Sequence, residues 1–543
     1  MRRVGARTGA EALVEALERA GTEVVFGYPG ANIVDVFGRL RTAKFRFVLG
    51  RHEQGCTHMA DGYARATGRP GVVVVTSGPG ATNAITGLAT ANVDGVPMVL
   101  ISGQVPLSQI GTDAFQEADM TGICRAATKH SFLVKSADEI PETVAQAFYI
   151  ATHGKPGAVV IDIPKNVQET LTAATYPERI SLRAYHPEHA ATTTQVNRLA
   201  KLLNEARRPV IYAGGGVISA NAAKDVAALA RRAGIPVATT LMGIGGFDEN
   251  DPLALGMAGL HGTFAANAAL DAADLVVALG VRFNDRVTSR VFRRAGRRRI
   301  VHVDCDPSSI DKNVSVHLGI VADIKDLLTT VNSRVRPNDR ADWLKQVAAW
   351  RKAHPFRYRP LHRGVIMPQA VVEAVAKATK GQAILVADVG QHQMWCAQYF
   401  RHAHARHFLS SGGMGTMGFA IPAAIGAAIA RPDHRVVAVI GDGGAQMTAE
   451  ELIVAAEERL PVVFVVVDNR RLGMVRQMQE QSFGRRYCAT TISSPDFVKL
   501  AEAHGLRGLR VSDPAKLDAV IARAIRSKTP CLVEVVVDSE ANV

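Results

Sequence analysis

Apolar residues in this chain gather in short unbroken runs rather than in alternation. Residues 436–440 and 462–467 are stretches of Val, Ile, Ala and Phe, each followed by a polar or glycine-rich turn. Such runs mark strands of a parallel sheet covered on both faces. Comparable runs stand at 23–26, 45–49, 72–76, 98–102 and 158–163, at 209–213, 236–239, 275–279 and 300–303, and at 383–387. Between them lie stretches of helical spacing, among them 9–20, 369–378 and 448–459. Strand and helix in alternation predict an α/β fold built of doubly wound parallel sheets. Two polar, proline-containing stretches, 165–191 and 334–363, read as linkers. They divide the chain into three expected domains, 1–170, 190–335 and 363–543.

Several strand ends carry candidate chemistry. Asp442 follows the 436–440 run within GDGG, and Asn469 follows the 462–467 run. A right-handed crossover brings both turns to the carboxyl-terminal edge of one sheet. A carboxylate and an amide oxygen there suit Mg2+, which takes few protein oxygens and fills its shell with water and phosphate. Gly441, Gly443 and Gly444 let a phosphate approach backbone N–H groups at a helix start. Gly, Asp and Asn also serve ordinary turns, so the whole pattern, rather than any one residue, points to a magnesium diphosphate. Gly413, Gly415 and Gly418 spell GxGxxG, but the acid that a dinucleotide site needs after the next strand would have to be Asp442, which the metal reading claims. In the middle third the strands end in GGG, LMG, GVRFNDR and DCD. Ligands of doubly wound sheets sit at such ends, and a nucleotide is the natural guess there, although no complete GxGxxG occurs.

Composition narrows the class. A chain of 543 residues needs more than one core. With 47% hydrophobic residues, 48 glycines and 6% aromatics it fits a large α/β enzyme. A net charge of +13 could attract nucleic acid or anionic cofactors. The one dense cluster, Arg293, Arg294, Arg297, Arg298 and Arg299, has no interleaved aromatics and reads as a solvated loop, so no nucleic-acid partner is expected. The longest apolar run, 419–430, is too short to span a membrane and contains Pro422 and Gly426. No apolar leader precedes Glu11, and six scattered cysteines form no CxxC pair, which points to the cytoplasm.

The motifs together resemble a known family. GDG followed at this distance by Asn is similar to the diphosphate motif of thiamine diphosphate enzymes, and RHEQGCTHMADGYAR with TSGPGATN resembles their pyrimidine-binding half. FGYPG, IGTDAFQE, TKHSFLVKS, IDIPK, LMG, HGT, GVRFNDR, GQHQMW, GGMGTMG and DNRRLGMVRQ extend the likeness over nearly the whole chain, and it is closest to the large catalytic subunits of acetohydroxyacid (acetolactate) synthases. This resemblance implies a pyrimidine-binding domain, a central FAD-binding Rossmann-like domain and a diphosphate-binding domain. It implies thiamine diphosphate, Mg2+ and FAD as cofactors, the flavin being structural. Metal ligands would be Asp442, Asn469 and the carbonyl of Arg471. Gln391, His392, Gly443 and Gly444 would meet the diphosphate, while the Gly415 carbonyl and Met417 would hold the cofactor bent. Flavin contacts would come from Gly214, Gly215, Thr239, Leu241, His261, Gly280, Arg282, Asp304 and Asp323. Glu53, by itself a simple helix N-terminal acid, matches the carboxylate that bonds N1′ of the aminopyrimidine and promotes proton removal from the thiazolium. A buried setting, which raises a carboxyl's pKa, would suit that role. Gly30, Phe115, Gln116 and Lys165 match positions lining the substrate site, and Arg286 would pair with the second substrate's carboxylate.

The reaction so implied condenses pyruvate with pyruvate or 2-oxobutyrate, loses CO2, and yields 2-acetolactate or 2-aceto-2-hydroxybutyrate for branched-chain amino-acid synthesis. A thiamine diphosphate-dependent 2-oxo acid decarboxylase and an FAD-dependent pyruvate oxidase are the alternatives of the same cofactor class; a non-catalytic nucleotide-binding subunit is a third. The family also implies a homodimer or homotetramer with sites at the dimer interface, and a small regulatory subunit. Three departures bear on this. Ala31 follows Gly30 where Gly-Gly is common, Asn284 stands where Asp is usual, and Met478 replaces a frequent Trp. That Trp shapes the pocket for the second oxo acid, and its loss predicts weaker selection for one methylene, a contrast worth about 1–3 kcal/mol.

Overall fold

The computed structural model describes residues 6–180, 182–288 and 298–543, so Arg293, Arg294 and Arg297 lie outside the described residues. Three parallel six-stranded sheets carry the fold. The first contains β1 (Val24–Tyr28), β2 (Arg46–Leu49), β3 (Gly71–Val75), β4 (Met98–Gln104), β5 (His130–Leu133) and β6 (Ala158–Pro164), in the order β2-β1-β3-β4-β6-β5. The second contains β7 (Pro209–Ala213), β8 (Val237–Thr239), β9 (Ala254–Met257), β10 (Leu275–Leu279), β11 (Arg299–Asp304) and β12 (Leu318–Val321), ordered β9-β8-β7-β10-β11-β12. The third contains β13 (Ile384–Ala387), β14 (Phe408–Ser410), β15 (Val436–Gly441), β16 (Val463–Asp468), β17 (Arg507–Val511) and β18 (Cys531–Val536), ordered β14-β13-β15-β16-β18-β17.

The first and third sheets thus share one topology, whereas the second has the strand order of dinucleotide-binding folds. In each, the order reverses between the sheet's first strand and its neighbour: β1 and β3, β7 and β10, β13 and β15. Parallel strands leave crevices at such points, outside their carboxyl ends. The central strands are the apolar runs that the sequence displays, with β3, β7, β10 and β13 buried along their whole length.

Six strands of these three sheets have no counterpart in the apolar pattern. Five of them, β5, β9, β12, β14 and β17, lie at sheet edges, where one side stays open; polar residues intrude in β5, β14 and β17, and a glycine interrupts β9 and β12. The sixth, β18, is interior, but Glu534 interrupts its run and its carboxylate accepts from Arg510 Nε at 2.9 Å. The helix expected over 448–459 is shorter, a 3-10 turn Ala449–Glu451 followed by Leu452–Glu457, and a helical turn, Asp442–Ala445, already forms in the glycine segment. Within the stretch 334–363 lies a helix, Ala341–Ala353, whose Trp343 packs on the second sheet and donates Nε1–H to the Pro209 carbonyl at 3.1 Å.

Five helices position the sites: α1 (Glu53–Thr67), α2 (Ile85–Asp94), α3 (Gln391–Tyr399), α4 (Ala420–Ala430) and α5 (Gly473–Ser482). α1 and α4 join the first and third sheets in one core in which Met59, Ala60 and Ala64 meet Ile421, Ala424 and Ile425. Contact is backbone to backbone: a Cβ on Gly62 would stand 2.1 Å from the Ala423 carbonyl oxygen, and one on Gly426 1.9 Å from that of Met59. Among the described residues no helix is long and apolar enough to cross a membrane.

Candidate active site

Next to the reversal point of the third sheet, β15 and β16 lie in register with Gly441 opposite Val467, so Asp442 and the pair Asp468–Asn469 emerge side by side. Asp442 is buried, and its carboxylate shares the Ser494 hydroxyl, at 3.2 Å, with Asp468, at 2.9 Å. Burial and the neighbouring Asp468 push the Asp442 carboxyl up to about 7. One oxygen of Asp468, Oδ2, is buried without a partner. Two buried acids with a free oxygen are costly unless a cation joins them, and an all-oxygen donor set fits Mg2+. Asn469 Oδ1 accepts the Arg471 N–H at 3.0 Å, a tight turn that brings Arg471 to the rim.

The opposite wall starts at β13. His392 Nε2 accepts the Gly441 N–H at 3.2 Å, and burial lowers the ring's pKa to about 4, which keeps it neutral. Glycine is required beside it: a Cβ on Gly441 would come within 2.8 Å of the imidazole. Gln391 donates to Gln477 at 2.8 Å and to the Ala541 carbonyl at 3.0 Å, and its own amide oxygen is buried and unpartnered. Gln391, His392, Met417, Gly443, Gly444 and Asn469 face one cleft, whose lining comes wholly from 389–475. With N–H groups at the starts of α3 and of the Asp442 turn, that cleft suits a diphosphate. Gly415 has a positive φ of 66°, in the segment that leads to Met417.

On the first sheet, Glu53 opens α1 and is buried; its Oε2 accepts from Asn83 Nδ2 at 3.0 Å. Gly30 presses on Thr76, where a Cβ would sit 2.4 Å from the threonine Cβ, and Asn32 donates to Ser77 Oγ at 2.6 Å. Lys165 Nζ stands 3.4 Å from the Ala31 carbonyl and 3.5 Å from Asp35. Gln116, with φ 62°, backs onto Gly78 and leaves its amide oxygen unpartnered, while Phe115 beside it is 83% exposed. Gly30, Gln116, Lys165 and Glu53 therefore cluster around the reversal edge of that sheet.

The second sheet's reversal point brings Gly214 against Gly280, with a Cβ on Gly214 only 2.0 Å from the Gly280 oxygen, and Gly215 follows. Thr239 ends β8 with a buried hydroxyl lacking a partner. Asp304 ends β11, where burial raises its carboxyl to about 6. Backbone glycine at the crevice, an orphaned hydroxyl and strand-end acids fit a dinucleotide such as FAD. Asp323 caps its helix by accepting the Asp326 N–H at 3.0 Å, Leu241 packs on the third domain's core, and the His261 carbonyl accepts from Gln398 at 2.9 Å. Arg286 projects outward, 64% exposed, with Asp285 at 3.6 Å.

Thiamine pyrophosphate enzyme models match three segments: the N-terminal TPP binding domain at 7–123, the central domain at 196–331 and the C-terminal TPP binding domain at 388–535. Over 99% of its length the chain is 46% identical to acetolactate synthase of Mycobacterium bovis, covering 89% of that protein. The chain belongs to the acetolactate synthase family of thiamine pyrophosphate enzymes. It is similarly 43% identical to the acetolactate synthase isozyme 3 large subunit of Escherichia coli, with 99% of the chain and 96% of the relative covered. To the mitochondrial acetolactate synthase catalytic subunit of Saccharomyces cerevisiae it is 42% identical over 99% of the chain and 81% of the relative. The two matched TPP binding segments overlap the two sheets of identical strand order, covering four strands of the first and all but β13 and the last residue of β18 in the third, and thiamine diphosphate is the cofactor of such domains.

In this acetolactate synthase family member, three side chains stand beside the predicted residues without having been singled out from sequence. Asp388, buried at the end of β13, accepts the N–H groups of Gly418 at 3.0 Å and Ala420 at 3.1 Å and so anchors the segment carrying Gly415 and Met417. Burial raises its carboxyl to about 6. An acid directly after a wholly apolar run was the available signal. Ser494 joins the two buried acids Asp442 and Asp468, and Asn83 bonds Glu53; Ser494 lies in a polar segment where nothing local distinguishes it, whereas Asn83 ends the TSGPGATN motif.

Proposed function

We propose that this chain catalyses the condensation of pyruvate with a second 2-oxo acid, pyruvate or 2-oxobutyrate, with release of one CO2, giving 2-acetolactate or 2-aceto-2-hydroxybutyrate in branched-chain amino-acid synthesis. One observation carries the reading: in a chain of this family, a cluster of side-chain oxygens at the carboxyl edge of one sheet, buried Asp442 and Asp468 with half-buried Asn469, accompanies a buried acid, Glu53, at the carboxyl edge of a twin sheet. Asp442, Asn469 and the Arg471 carbonyl hold Mg2+. Gly443, Gly444, Gln391 and neutral His392 receive the diphosphate, and Met417 supports the cofactor's bend. Thiamine diphosphate, when bound, supplies the carbon nucleophile and the electron sink for loss of CO2. Glu53 holds a proton at the pyrimidine N1′, with Asn83 fixing its carboxylate. Gly30, Phe115, Gln116 and Lys165 border the reacting carbons, and Arg286 pairs with the incoming carboxylate, which its planar fork suits. Gly214, Gly215, Thr239, Gly280, Arg282 and Asp304 hold FAD in a structural role. The domain division at 1–170, 190–335 and 363–543 belongs to the same proposal, as does a cytoplasmic location.

Assembly across two copies is supported by the cleft itself: its lining comes from the third domain alone, and Glu53 is not part of it. Each copy then lends Glu53 to its partner's cleft. A small regulatory subunit also enters the proposal, because relatives carry the names large subunit and catalytic subunit. The test is product analysis by NMR with pyruvate, Mg2+, thiamine diphosphate and FAD. The expected result is acetolactate with one CO2 for every two pyruvates consumed. Acetaldehyde as product, or bleaching of flavin with acetyl phosphate formed, would overturn the proposal in favour of a decarboxylase or an oxidase.

A further inference from the structure

At the carboxyl end of α2, the fully buried carboxylate of Asp94 receives groups from all three domains. Arg65 of α1 donates to Oδ2 at 2.9 Å, and the Gly412 N–H does so at 3.0 Å. The Gly413 N–H reaches Oδ1 at 2.7 Å, and Arg282 of the second domain stands 3.6 Å from the same oxygen. Arg282 also donates to the Val93 carbonyl at 2.5 Å. Arg65 is shared with Asp61, so two acids and two arginines nearly balance in a dry site. No slack exists around the glycines. A Cβ on Gly413 would lie 2.4 Å from Val93 Cγ1 and 2.6 Å from Asp94 Oδ1, and one on Gly412 2.2 Å from Met242 Sδ. A further bond, Thr90 Oγ1 to Thr416 Oγ1 at 2.7 Å, ties the same segment to α2. The 412–418 segment, with Gly415 and Met417, is thus clamped between α2 and the second domain.

We infer that Asp94 is a positioning residue that couples flavin binding on the second domain to thiamine diphosphate binding on the third. This rests on the reading above, in which Arg282 touches FAD and the 412–418 segment shapes the diphosphate cofactor's site. The Asp94 side chain is fully buried, whereas that of Arg282 is 37% exposed and so within reach of a ligand. A ligand that fixes Arg282 fixes one counter-charge of Asp94, and Asp94 in turn holds the N–H groups of Gly412 and Gly413. Linkage makes the effect reciprocal, and couplings of this kind span about 5- to 150-fold.

The test titrates flavin-free full-length protein with thiamine diphosphate and Mg2+, read by the fluorescence of Trp395 at the cleft, with and without saturating FAD. Flavin binding is followed separately by its visible absorbance. In the native chain FAD should tighten thiamine diphosphate binding by at least about fivefold. In Asp94→Asn both ligands should still bind while the coupling collapses; a purely structural Asp94 would lower thermal stability and leave the ratio intact. If Asp94→Asn does not fold, Gly413→Ala, which displaces the segment from the carboxylate, should abolish the coupling likewise. Undiminished coupling in these variants, or none in the native chain with flavin bound, overturns the inference. A native chain that binds no flavin overturns instead the flavin reading on which it rests, and the absorbance tells the two apart.

Discussion

The proposed assembly of the site across two copies has a numerical consequence. Glu53→Gln removes the acid of the first sheet and Asp442→Asn removes the proposed anionic metal ligand of the third, so each variant alone should be nearly inactive. Glutamine and asparagine keep the size of the buried side chains, and Asn83 and Ser494 keep an oxygen to donate to, so neither change should empty the cavity it fills. The two variants, mixed under conditions that exchange subunits or produced together, pair at random. About half of the dimers then carry one of each, and in these one of the two clefts combines an intact Glu53 with an intact Asp442. Activity should return to about one quarter of the native value per chain. If Glu53 instead served the cleft of its own chain, every cleft in the mixture would contain one lesion and no activity would return. Acetolactate formed per minute, against the two variants assayed separately, reads the outcome. A mixture no more active than the sum of its parts refutes cross-chain assembly, provided affinity capture of one variant through a tag recovers the untagged other.

Met478 lies 45% exposed on α5, and Met478→Trp should restore a flat wall and raise the ratio of acetohydroxybutyrate to acetolactate in a pyruvate and 2-oxobutyrate competition by up to about tenfold. A native ratio already strongly skewed to acetohydroxybutyrate would contradict that role for Met478. Glu451 accepts the N–H groups of Arg51 at 3.0 Å and His52 at 2.9 Å at the start of α1, and burial raises its carboxyl to about 8. A carboxyl raised above its unfolded value stabilises the fold at low pH and ceases to as pH climbs from about 4.5 through about 8. Glu451→Gln, which keeps an acceptor and cannot ionise, should therefore gain thermal midpoint relative to the native chain between pH 5 and pH 9. A midpoint difference independent of pH would count against this.

The interior strands other than β18 were legible because strands buried on both faces are apolar throughout, and the turns at Asp442 and Asn469 were legible because both residues and their glycines lie within one βαβ unit. Of the edge strands only β2 was, since β17 reads RGLRV and β5 reads HSFL, sequences without a period. Identity of topology between the first and third sheets was hidden for the same reason, as the order at the edges completes the likeness. Side chains that act through distant partners were also beyond reach. Asp94 meets Arg65, Arg282 and Gly412 only after three domains have packed, and Glu451 is joined to the turn before α1 across 400 residues of sequence. Such contacts have no spacing to betray them.

The central claim is that the Asp442 and Asn469 edge of the third sheet holds a magnesium diphosphate. Titration of Mg2+ at saturating thiamine diphosphate, followed at Trp395, tests it most directly by comparing the native chain with a folded Asp442→Asn. Loss of a metal ligand should weaken Mg2+ binding by more than the roughly 10- to 100-fold typical of losing an outer-shell partner. Equal Mg2+ affinity in the two proteins would contradict the claim.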